Sequence, residues 1–353
     1  MKQQARILVC YNSPVSIFPI YTGKPHDQLY GFNDLSEKSF SNGIKKIEHS
    51  LLKYFQEVKT FGVDRNINKL ISSVRNYQPD VVFNFVESVE GISNYEYCLA
   101  GIYELLGVQY TGNTPMCLGN CLNKARTKYI LRSFGINTPA FFTLNYGKKT
   151  NYKTNKIKFP VIVKLINEDA SIGISEFSVV NNYKELKKQA EFLFHTYKQD
   201  LIVEEYIEGR ELNVAILGGK TLPISEISFI GLPDALPKIV TYEGKWFEES
   251  IYYENTKPVC PAKLDRKTKS LVEKTALAAY TVMSARDYAR VDIRLNKEKI
   301  PYVIEVNPNP DISIDSGFAR AASAAGISHE NLLYTIANFA LNRKGNDSQL
   351  KTG

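Results

Sequence analysis

Arg290, Asp292, Glu305 and Asn307 lie close together near the C-terminal end of the sequence, on two neighbouring apolar runs. Two carboxylates and an amide oxygen are hard ligands of the kind that hold Mg²⁺ against nucleotide phosphates. The arginine can neutralise a further negative charge beside them. These residue types therefore indicate metal-assisted phosphate chemistry. The alternative is a surface hairpin whose charges are solvated.

The two runs that carry these side chains are typical of paired strands. Residues 289–295 and 301–306 alternate apolar and polar positions, and the charged turn 296–299 separates them. Side chains alternate between the two faces of a strand, so an antiparallel pairing about this turn brings the four polar groups together. The sequence thus predicts an antiparallel strand pair as the support of the site.

The pattern R-x-D followed by E-V-N-P-N-P resembles the metal-binding end of the ATP-grasp fold, in the D-alanine–D-alanine ligase branch. The resemblance implies that Asp292, Glu305 and Asn307 hold two Mg²⁺ ions, with Mn²⁺ as an alternative metal. It also implies that Arg290 stabilises an anionic reaction intermediate.

A second group of residues points to phosphate binding. Residues 159–165 form an apolar run with Lys164 embedded in it, and a buried lysine needs an anion. The small-residue loop 168–174 follows, and its backbone amides can approach phosphate oxygens. The segment resembles P-V-I-V-K-P and G-S-S-x-G of the same family. That resemblance implies that Lys124 and Lys164 contact the ATP phosphates and that Ser171 lies in a mobile phosphate loop, beside the reacting group.

Residues 201–217 predict a strand, a short turn at Glu208 and Gly209, and a second strand. A hairpin with exposed glutamates is the alternative. The resemblance assigns the adenine contacts to backbone groups of a short hinge and the ribose hydroxyls to Glu211. The hinge consists of Glu204, Glu205, Tyr206 and Ile207.

The substrate end departs from the family pattern. Residues 242–246 resemble its substrate-covering loop, so Lys245 is expected to reach the transferring phosphate while Tyr242 and Trp246 cover the substrate. The family closes this loop with a hydrogen-bonded lock of a glutamate, a serine and a tyrosine. Here no glutamate closely follows the first predicted strand, and Ala170 and Trp246 stand at the other two positions. That lock cannot form.

Four more residues are candidates for substrate binding. Glu87 and Glu90, in the loop after the third predicted strand, can replace the missing glutamate, with solvated loop glutamates as the alternative. Ser316 stands where the family's serine binds the carboxylate of the second substrate, and Asp311 replaces a glycine of the oxyanion site. The sequence therefore predicts a nucleotide end of the family type and an altered substrate end.

The rest of the chain predicts an α/β framework, in which alternating strands and helices imply a parallel sheet with crossover helices. By resemblance, the ATP-grasp fold divides into a Rossmann-like domain at 1–115, a small central α+β domain at 116–207 and an α+β domain with the metal site at 208–342. A polar, flexible tail at 343–353 follows.

Three helices are predicted from local signals. Residues 67–77 keep the spacing of an amphipathic helix, which Pro79 closes. Ser41 is the predicted N-terminal cap of a helix in the first domain, because serine oxygens accept bonds from the first backbone amides. Residues 121–131 keep helical periodicity and are predicted to form a single helix that ends at Gly135.

Composition excludes several classes of protein. The 353 residues are 44% hydrophobic and 23% charged, as in ordinary globular proteins, and no uncharged run reaches the roughly 18 residues of a membrane span. The five cysteines form no zinc-like or disulfide spacing. The net charge of +7 comes from scattered lysines rather than a basic stripe, which argues against nucleic-acid binding. A cytoplasmic protein is expected, and the resemblance implies a homodimer.

The function implied by the resemblance is an ATP-dependent carboxylate–amine ligase that works through an acyl phosphate. Small-molecule amino acids or peptides other than D-alanine are the expected substrates. Alternatives are the charging of an amino acid onto a carrier protein or peptide, a true D-alanine–D-alanine ligase, and an ATP-binding pseudoenzyme. The intact metal and phosphate residues argue against the pseudoenzyme.

Overall fold

The structure, a computed structural model, describes residues 2–12, 35–149, 152 and 157–343, with the backbone alone for 35–42. The segment after the first strand, where the family's glutamate would fall, lies outside these residues, and so does the tail from Lys344. Three β-sheets follow one another along the described part of the chain.

The first sheet is parallel, with strand order β2-β1-β3. A helix connects each strand to the next and brings the chain back so that the next strand runs in the same direction. The predicted crossover connections are therefore confirmed. The first helix begins at Leu35, so the prediction of a cap at Ser41 is wrong; serine is also tolerated inside helices. The elements are β1 (Gln3–Asn12), α1 (Leu35–Leu51), β2 (Phe55–Val63), α2 (Ile67–Tyr77), β3 (Val81–Phe85), α3 (Tyr95–Leu105) and α4 (Pro115–Leu122).

The second sheet is antiparallel, with strand order β4-β7-β5-β6. The helix predicted over 121–131 is confirmed from Lys124 onward, but it is not continuous with the residues before it, because the chain breaks at Asn123. The Asn123 side chain accepts a hydrogen bond from the Arg126 amide at 2.9 Å and caps a new helix that begins at Lys124. The elements are α5 (Lys124–Ser133), β4 (Phe141–Leu144), β5 (Val161–Leu165), β6 (Val179–Val180), α6 (Tyr183–Tyr197) and β7 (Leu201–Glu205).

The third sheet has the order β11-β10-β8-β12-β13, with β9 beside β8. The predicted antiparallel pair is confirmed, since β12 and β13 place Arg290 opposite Asn307 and Asp292 opposite Glu305. The elements are β8 (Arg210–Leu217), β9 (Lys220–Thr221), β10 (Ser225–Ser228), α7 (Tyr242–Trp246), α8 (Ile251–Asn255), β11 (Lys257–Val259), α9 (Arg266–Val282), β12 (Tyr288–Leu295), β13 (Pro301–Asn307), α10 (Gly317–Ala324) and α11 (His329–Arg343).

The turn between β7 and β8 carries the chain from the second sheet to the third. The two strands do not pair with each other, so the hairpin alternative is wrong. Gly209 has a φ of 143°, and a Cβ added there would lie 2.0 Å from the Leu295 carbonyl oxygen. Only glycine allows this close crossing. A cleft therefore opens between the second and third sheets.

One apolar core joins the two ends of the chain. Side chains of β1, α1 and β3 pack with those of α10 and α11, and Ile7, Phe83, Phe318 and Ile336 have no exposed surface. The first sheet is thus held directly against the helices that follow β12 and β13, which carry the predicted metal ligands and are called the metal strands below. Among the described helices, none is long and apolar enough to cross a membrane.

Candidate active site

A cleft of about 340 Å³ lies between the second and third sheets, and all of the predicted nucleotide and metal residues line it. Both sheets contribute side chains, because the crossing at Gly209 takes the chain from β7 of the second sheet to β8 of the third. The predicted residues that line the cleft are Lys124, Lys164, Ser171, Glu204, Glu205, Tyr206, Ile207, Glu211, Lys245, Arg290, Asp292, Glu305 and Asn307.

Asp292 is held from three sides. Arg290 donates to both of its carboxylate oxygens at 2.8 Å, Asn307 donates to Oδ2 at 3.0 Å, and Asn213 of β8 donates to Oδ1 at 2.7 Å. The side chain is only 9% exposed. These contacts keep the carboxylate oriented toward the cleft wall that it shares with Glu305 and Asn307.

The donor set fits a magnesium ion. Asp292 and Glu305 sit opposite each other on paired strands, and Asn307 contacts Asp292, so two carboxylates and an amide occupy neighbouring positions of one strand pair. Mg²⁺ usually takes one or two carboxylates and completes its shell with water and substrate phosphates. The described residues contain no cluster of three or more His, Cys, Asp or Glu that could hold a metal by itself.

Lys124 connects the metal strands to the phosphate loop. Its ammonium contacts Glu305 Oε1 at 2.9 Å, Asp169 Oδ1 at 2.9 Å and the Glu168 carbonyl at 2.6 Å. Burial alone would lower the pKa of Lys124, but the two carboxylates raise it above its ordinary value. Burial would raise the pKa of Glu305, and Lys124 together with Lys164 lowers it instead. Both groups are therefore charged at neutral pH.

Lys164 finds its anion in Glu204 of the neighbouring strand. The two groups are 3.2 Å apart, and the Glu204 side chain is 1% exposed. Lys128 approaches the other oxygen of Glu204 at 3.3 Å and also contacts Thr138 Oγ1 and the Ile304 carbonyl at 3.1 Å. Burial would raise the pKa of Glu204, but the two lysines lower it, while burial lowers the pKa of Lys128 to about 8.

The phosphate loop and the short helix α7 close the cleft from one side. Ala170 and Ser171 have φ values of 53° and 63°, a left-handed conformation that turns the loop sharply. The Tyr242 amide donates to the Ile174 carbonyl at 3.0 Å, which fastens α7 to this loop. Lys245 extends from α7 into the cleft, and desolvation there together with the positive charge of Arg290 lowers its pKa.

The hinge is fixed through its backbone. The Glu205 and Tyr206 amides donate to the Ala140 and Pro160 carbonyls at 2.8 and 3.0 Å. Burial raises the pKa of Glu211, which faces the cleft from β8. The predicted adenine and ribose residues therefore share one wall.

The six predicted substrate residues are not among those that line this cleft. Tyr242 is buried and packs beside Trp246 with ring centroids 6.5 Å apart. Glu87 follows β3 in the first domain, and Glu90 pairs with Arg65 at 3.0 Å on the surface. Tyr242 and Trp246 thus share α7 with Lys245, but the side chains of these four residues do not line the cleft.

Asp311 and Ser316 bond to their own local backbone. Asp311 accepts bonds from the amide and hydroxyl of Ser313, both at 2.8 Å. Ser316 Oγ accepts from the Ala319 amide at 3.1 Å and caps α10. In this structure, both side chains stabilise the loop that follows the metal strand.

Several cleft residues were not singled out by their sequence. Asn213 was missed because an isolated asparagine on an apolar strand carries no specific signal, and Arg320 because it lies on a helix without a motif. Arg294 had a signal, since it shares a strand face with Asp292. The charged and amide residues that line the cleft but were not predicted are Glu168, Asp169, Asn213, Arg294 and Arg320.

Comparison with known proteins agrees with this geometry. The family described as D-ala D-ala ligase C-terminus matches residues 130–338. An uncharacterized protein, y4sG, of Sinorhizobium fredii is 33% identical over 265 residues, 74% of this chain and 75% of its own. A D-alanine–D-alanine ligase of Nitrosospira multiformis is 31% identical over 240 residues, 68% of this chain and 74% of its own.

Solved structures show the same fold. The D-alanine–D-alanine ligase from Bacillus anthracis complexed with ATP superposes with a TM-score of 0.75 at 24% identity, covering 97% of this chain and 99% of that one. Two antiparallel sheets with a cleft between them, beside a parallel sheet, are the arrangement of the ATP-grasp fold. The chain belongs to the D-alanine–D-alanine ligase family and is an ATP-dependent, ADP-forming ligase.

Proposed function

We propose that this ligase joins the carboxylate of one amino acid or peptide to the amine of another and forms an amide bond. The γ-phosphoryl group of ATP would pass to the carboxylate and release ADP; the amine would then attack the acyl phosphate and release phosphate. The observation that carries the proposal is the convergence of Asp292, Glu305, Asn307, Lys124 and Arg290 on one cleft.

Each charged residue has a part that its position supports. Lys124 and Lys164 lie where they can hold the phosphates, and Lys245 and Arg290 are placed to neutralise the charge that develops on the transferring group. Bound at Asp292, Glu305 and Asn307, two Mg²⁺ ions would supply further charge neutralisation and orient the phosphates. Ser171 would close the loop over them.

The first substrate is proposed to differ from D-alanine. A buried ammonium needs a carboxylate partner, and leaving it unpaired costs several kcal/mol. No acid closely follows β1 in the sequence, and Ala170 and Trp246 lack the hydroxyls of the family's lock. The indole of Trp246 suits a larger or less polar first substrate. Glu87, Tyr242, Asp311 and Ser316 remain candidates for contacts to the two substrates.

A true D-alanine–D-alanine ligase is the second candidate, because curated relatives about 30% identical carry that name. ADP release would be measured with ATP, Mg²⁺ and D-alanine alone, and then with a panel of other amino acids and dipeptides. We expect turnover within the usual 1–10³ s⁻¹ for a member of the panel and far less for D-alanine. Turnover in that range with D-alanine would establish the second candidate instead.

Two controls keep this experiment specific. Glu305→Gln should abolish the release, which shows that it arises at the metal strands. Product analysis separates the amide from the alternative in which an amino acid is loaded onto a carrier protein or peptide, since only the latter needs a macromolecular acceptor. Absence of ADP release with every small acceptor and with carriers would leave the pseudoenzyme as the explanation.

A homodimer in the cytoplasm is also proposed, on the resemblance to the family alone. Sedimentation equilibrium of the purified protein checks the first part: a mass of twice 39.9 kDa supports it, and a single-chain mass rejects it.

A further inference from the structure

Arg294 is a buried cation in the cleft for which the family resemblance assigns no role. It lies on β12, two residues beyond Asp292, and its side chain is only 4% exposed. Burying a guanidinium without partners is strongly unfavourable, so its contacts show what it is placed to hold.

The guanidinium contacts three separate segments of the nucleotide wall. Nε donates to the Ile207 carbonyl at 3.0 Å, Nη1 donates to Glu211 Oε2 at 3.0 Å, and Nη2 donates to the Tyr206 hydroxyl at 2.9 Å. Nη1 also reaches the Lys238 carbonyl at 2.9 Å. One planar group thus joins the hinge, the ribose glutamate of β8 and the loop before α7.

Strand register and ring contacts make this arrangement rigid. Arg294 lies directly opposite Glu211 in the antiparallel pair of β12 and β8. The Tyr206 ring lies 5.1 Å from the guanidinium carbon, and its hydroxyl donates to the Lys238 carbonyl at 3.1 Å. The donors of arginine point in fixed directions, so a lysine could not reproduce all of these bonds.

The charge of Arg294 also acts on Glu211. Burial raises the pKa of that carboxyl, and the first effect opposing it is the positive charge of Arg294. A charged carboxylate is the stronger acceptor for hydroxyl groups. Removing Arg294 would therefore weaken Glu211 as an acceptor as well as release it from its orientation.

We propose that Arg294 is a positioning residue that orients Glu211 and the hinge, and that through Glu211 it determines the selectivity of the site for a ribose over a 2′-deoxyribose. The inference rests on the proposed function, because it takes Glu211 as the ribose contact. It adds a determinant of nucleotide selectivity to that function.

The test compares the dissociation constants of ATP and 2′-deoxy-ATP, each with Mg²⁺, by calorimetry. The wild-type protein should bind ATP about tenfold more tightly, the effect of one hydrogen bond to a charged group. In Arg294→Met the preference for ATP over 2′-deoxy-ATP should fall below about threefold. Arg294→Lys keeps the charge but loses the planar set of donors, so its preference should lie between those of the wild-type protein and Arg294→Met. If Arg294 has a purely structural role, its removal would weaken the binding of both nucleotides equally and leave the ratio of their dissociation constants unchanged.

Two further variants test whether the change in nucleotide preference is specific to the contacts of Arg294. Tyr206→Phe removes a single contact of the guanidinium, so its preference for ATP over 2′-deoxy-ATP should fall to a value between those of the wild-type protein and Arg294→Met. If Arg294→Met does not fold, Tyr206→Phe tests the proposal in its place. The matched control is Arg210→Met, which removes an arginine that pairs with Glu226 at 2.5 Å on the same sheet, outside the lining of the cleft. Arg210→Met should keep the wild-type ratio.

The outcomes separate the two levels of the proposal. If the wild-type protein binds neither nucleotide, the proposed function fails. If it binds ATP but does not discriminate against 2′-deoxy-ATP, or if Arg294→Met and Tyr206→Phe both keep the full ratio, the inference about Arg294 is overturned while the ligase function stands.

Discussion

The nucleotide end and the substrate end of this ligase are built in different ways. At the proposed nucleotide end, most of the charged groups project from paired strands and meet opposite charges, as in the pairs of Lys164 with Glu204 and Arg290 with Asp292. At the substrate end, the predicted side chains lie on loops and helix ends, and Asp311 and Ser316 bond to their own local backbone.

This difference separates the part of the site that is preorganised from the part that can change. Strand register leaves little freedom to a buried charge, because a shift by one residue would turn it to the other face. Loops tolerate substitution and commonly carry specificity. This contrast supports the proposal that the ATP chemistry of the family is retained at one end while the substrate contacts differ at the other.

Removal of a metal carboxylate should have the largest effect. Asp292→Asn and Glu305→Gln each take away a charge aimed at the phosphates, so Mg²⁺-dependent ATP cleavage should fall by roughly 10²-fold or more, and EDTA should have the same effect on the wild-type protein. ADP release and thermal unfolding measure activity and fold. Glu298→Gln, in the exposed turn of the same strand pair, is the matched control. Near-wild-type turnover in both variants would rule out the metal assignment.

Loss of Lys164 should come next. Lys164→Met removes a charge from the phosphates, so the dissociation constant of ATP should rise by about ten- to a hundredfold. Glu204 keeps Lys128 as a partner, and the melting temperature should therefore change little. Calorimetry measures the affinity. The control is Lys187→Met, an exposed lysine on α6 that pairs with Glu191 at 3.6 Å. Unchanged affinity in Lys164→Met would exclude a phosphate contact.

The pH dependence tests Lys245, whose helix joins the two ends of the site. Desolvation and Arg290 lower its pKa below the ordinary value of about 10.4, so the rate of ADP release should fall as pH rises through this lowered pKa and the ammonium loses its proton. In Lys245→Arg the guanidinium stays charged, and the alkaline limb should move to higher pH. One unit above the lysine pKa, the normalised rates should differ by about tenfold. If the alkaline limbs of the two pH–rate profiles coincide, a group other than Lys245 causes the loss of activity at high pH.

The smallest effect is expected from Asp169, a carboxylate of the phosphate loop that is 55% exposed and pairs with Lys124 at 2.9 Å. It must give way if phosphates are to contact that lysine, so Asp169→Asn should tighten ATP binding by up to about fivefold, and less at high salt. Titrations at two salt concentrations measure this. Asp234→Asn, fully exposed on a loop, is the control. Weaker ATP binding in Asp169→Asn would mean that Asp169 supports the nucleotide instead of competing with it.

Local pattern was sufficient for some elements of the fold and misleading for others. The pairing of β12 with β13 followed from alternation and a charged turn, and helix Ile67–Tyr77 has the bounds that its periodicity predicts. The break at Asn123 was missed, because helical periodicity continues across a cap whose effect depends on a single hydrogen bond. The crossing at Gly209 was also hidden, since two strands about a short turn look the same whether or not they pair.

The same contrast holds for the site. Residue types and their order along the chain were enough to predict a nucleotide and metal chemistry, because hard oxygen ligands, an embedded lysine and a small-residue loop each have a chemical meaning in sequence. Which groups meet was decided only by the tertiary structure. Glu204 became the partner of Lys164 and Lys128, and Arg294 the common support of Tyr206 and Glu211, because pairing between strands distant in sequence sets those distances.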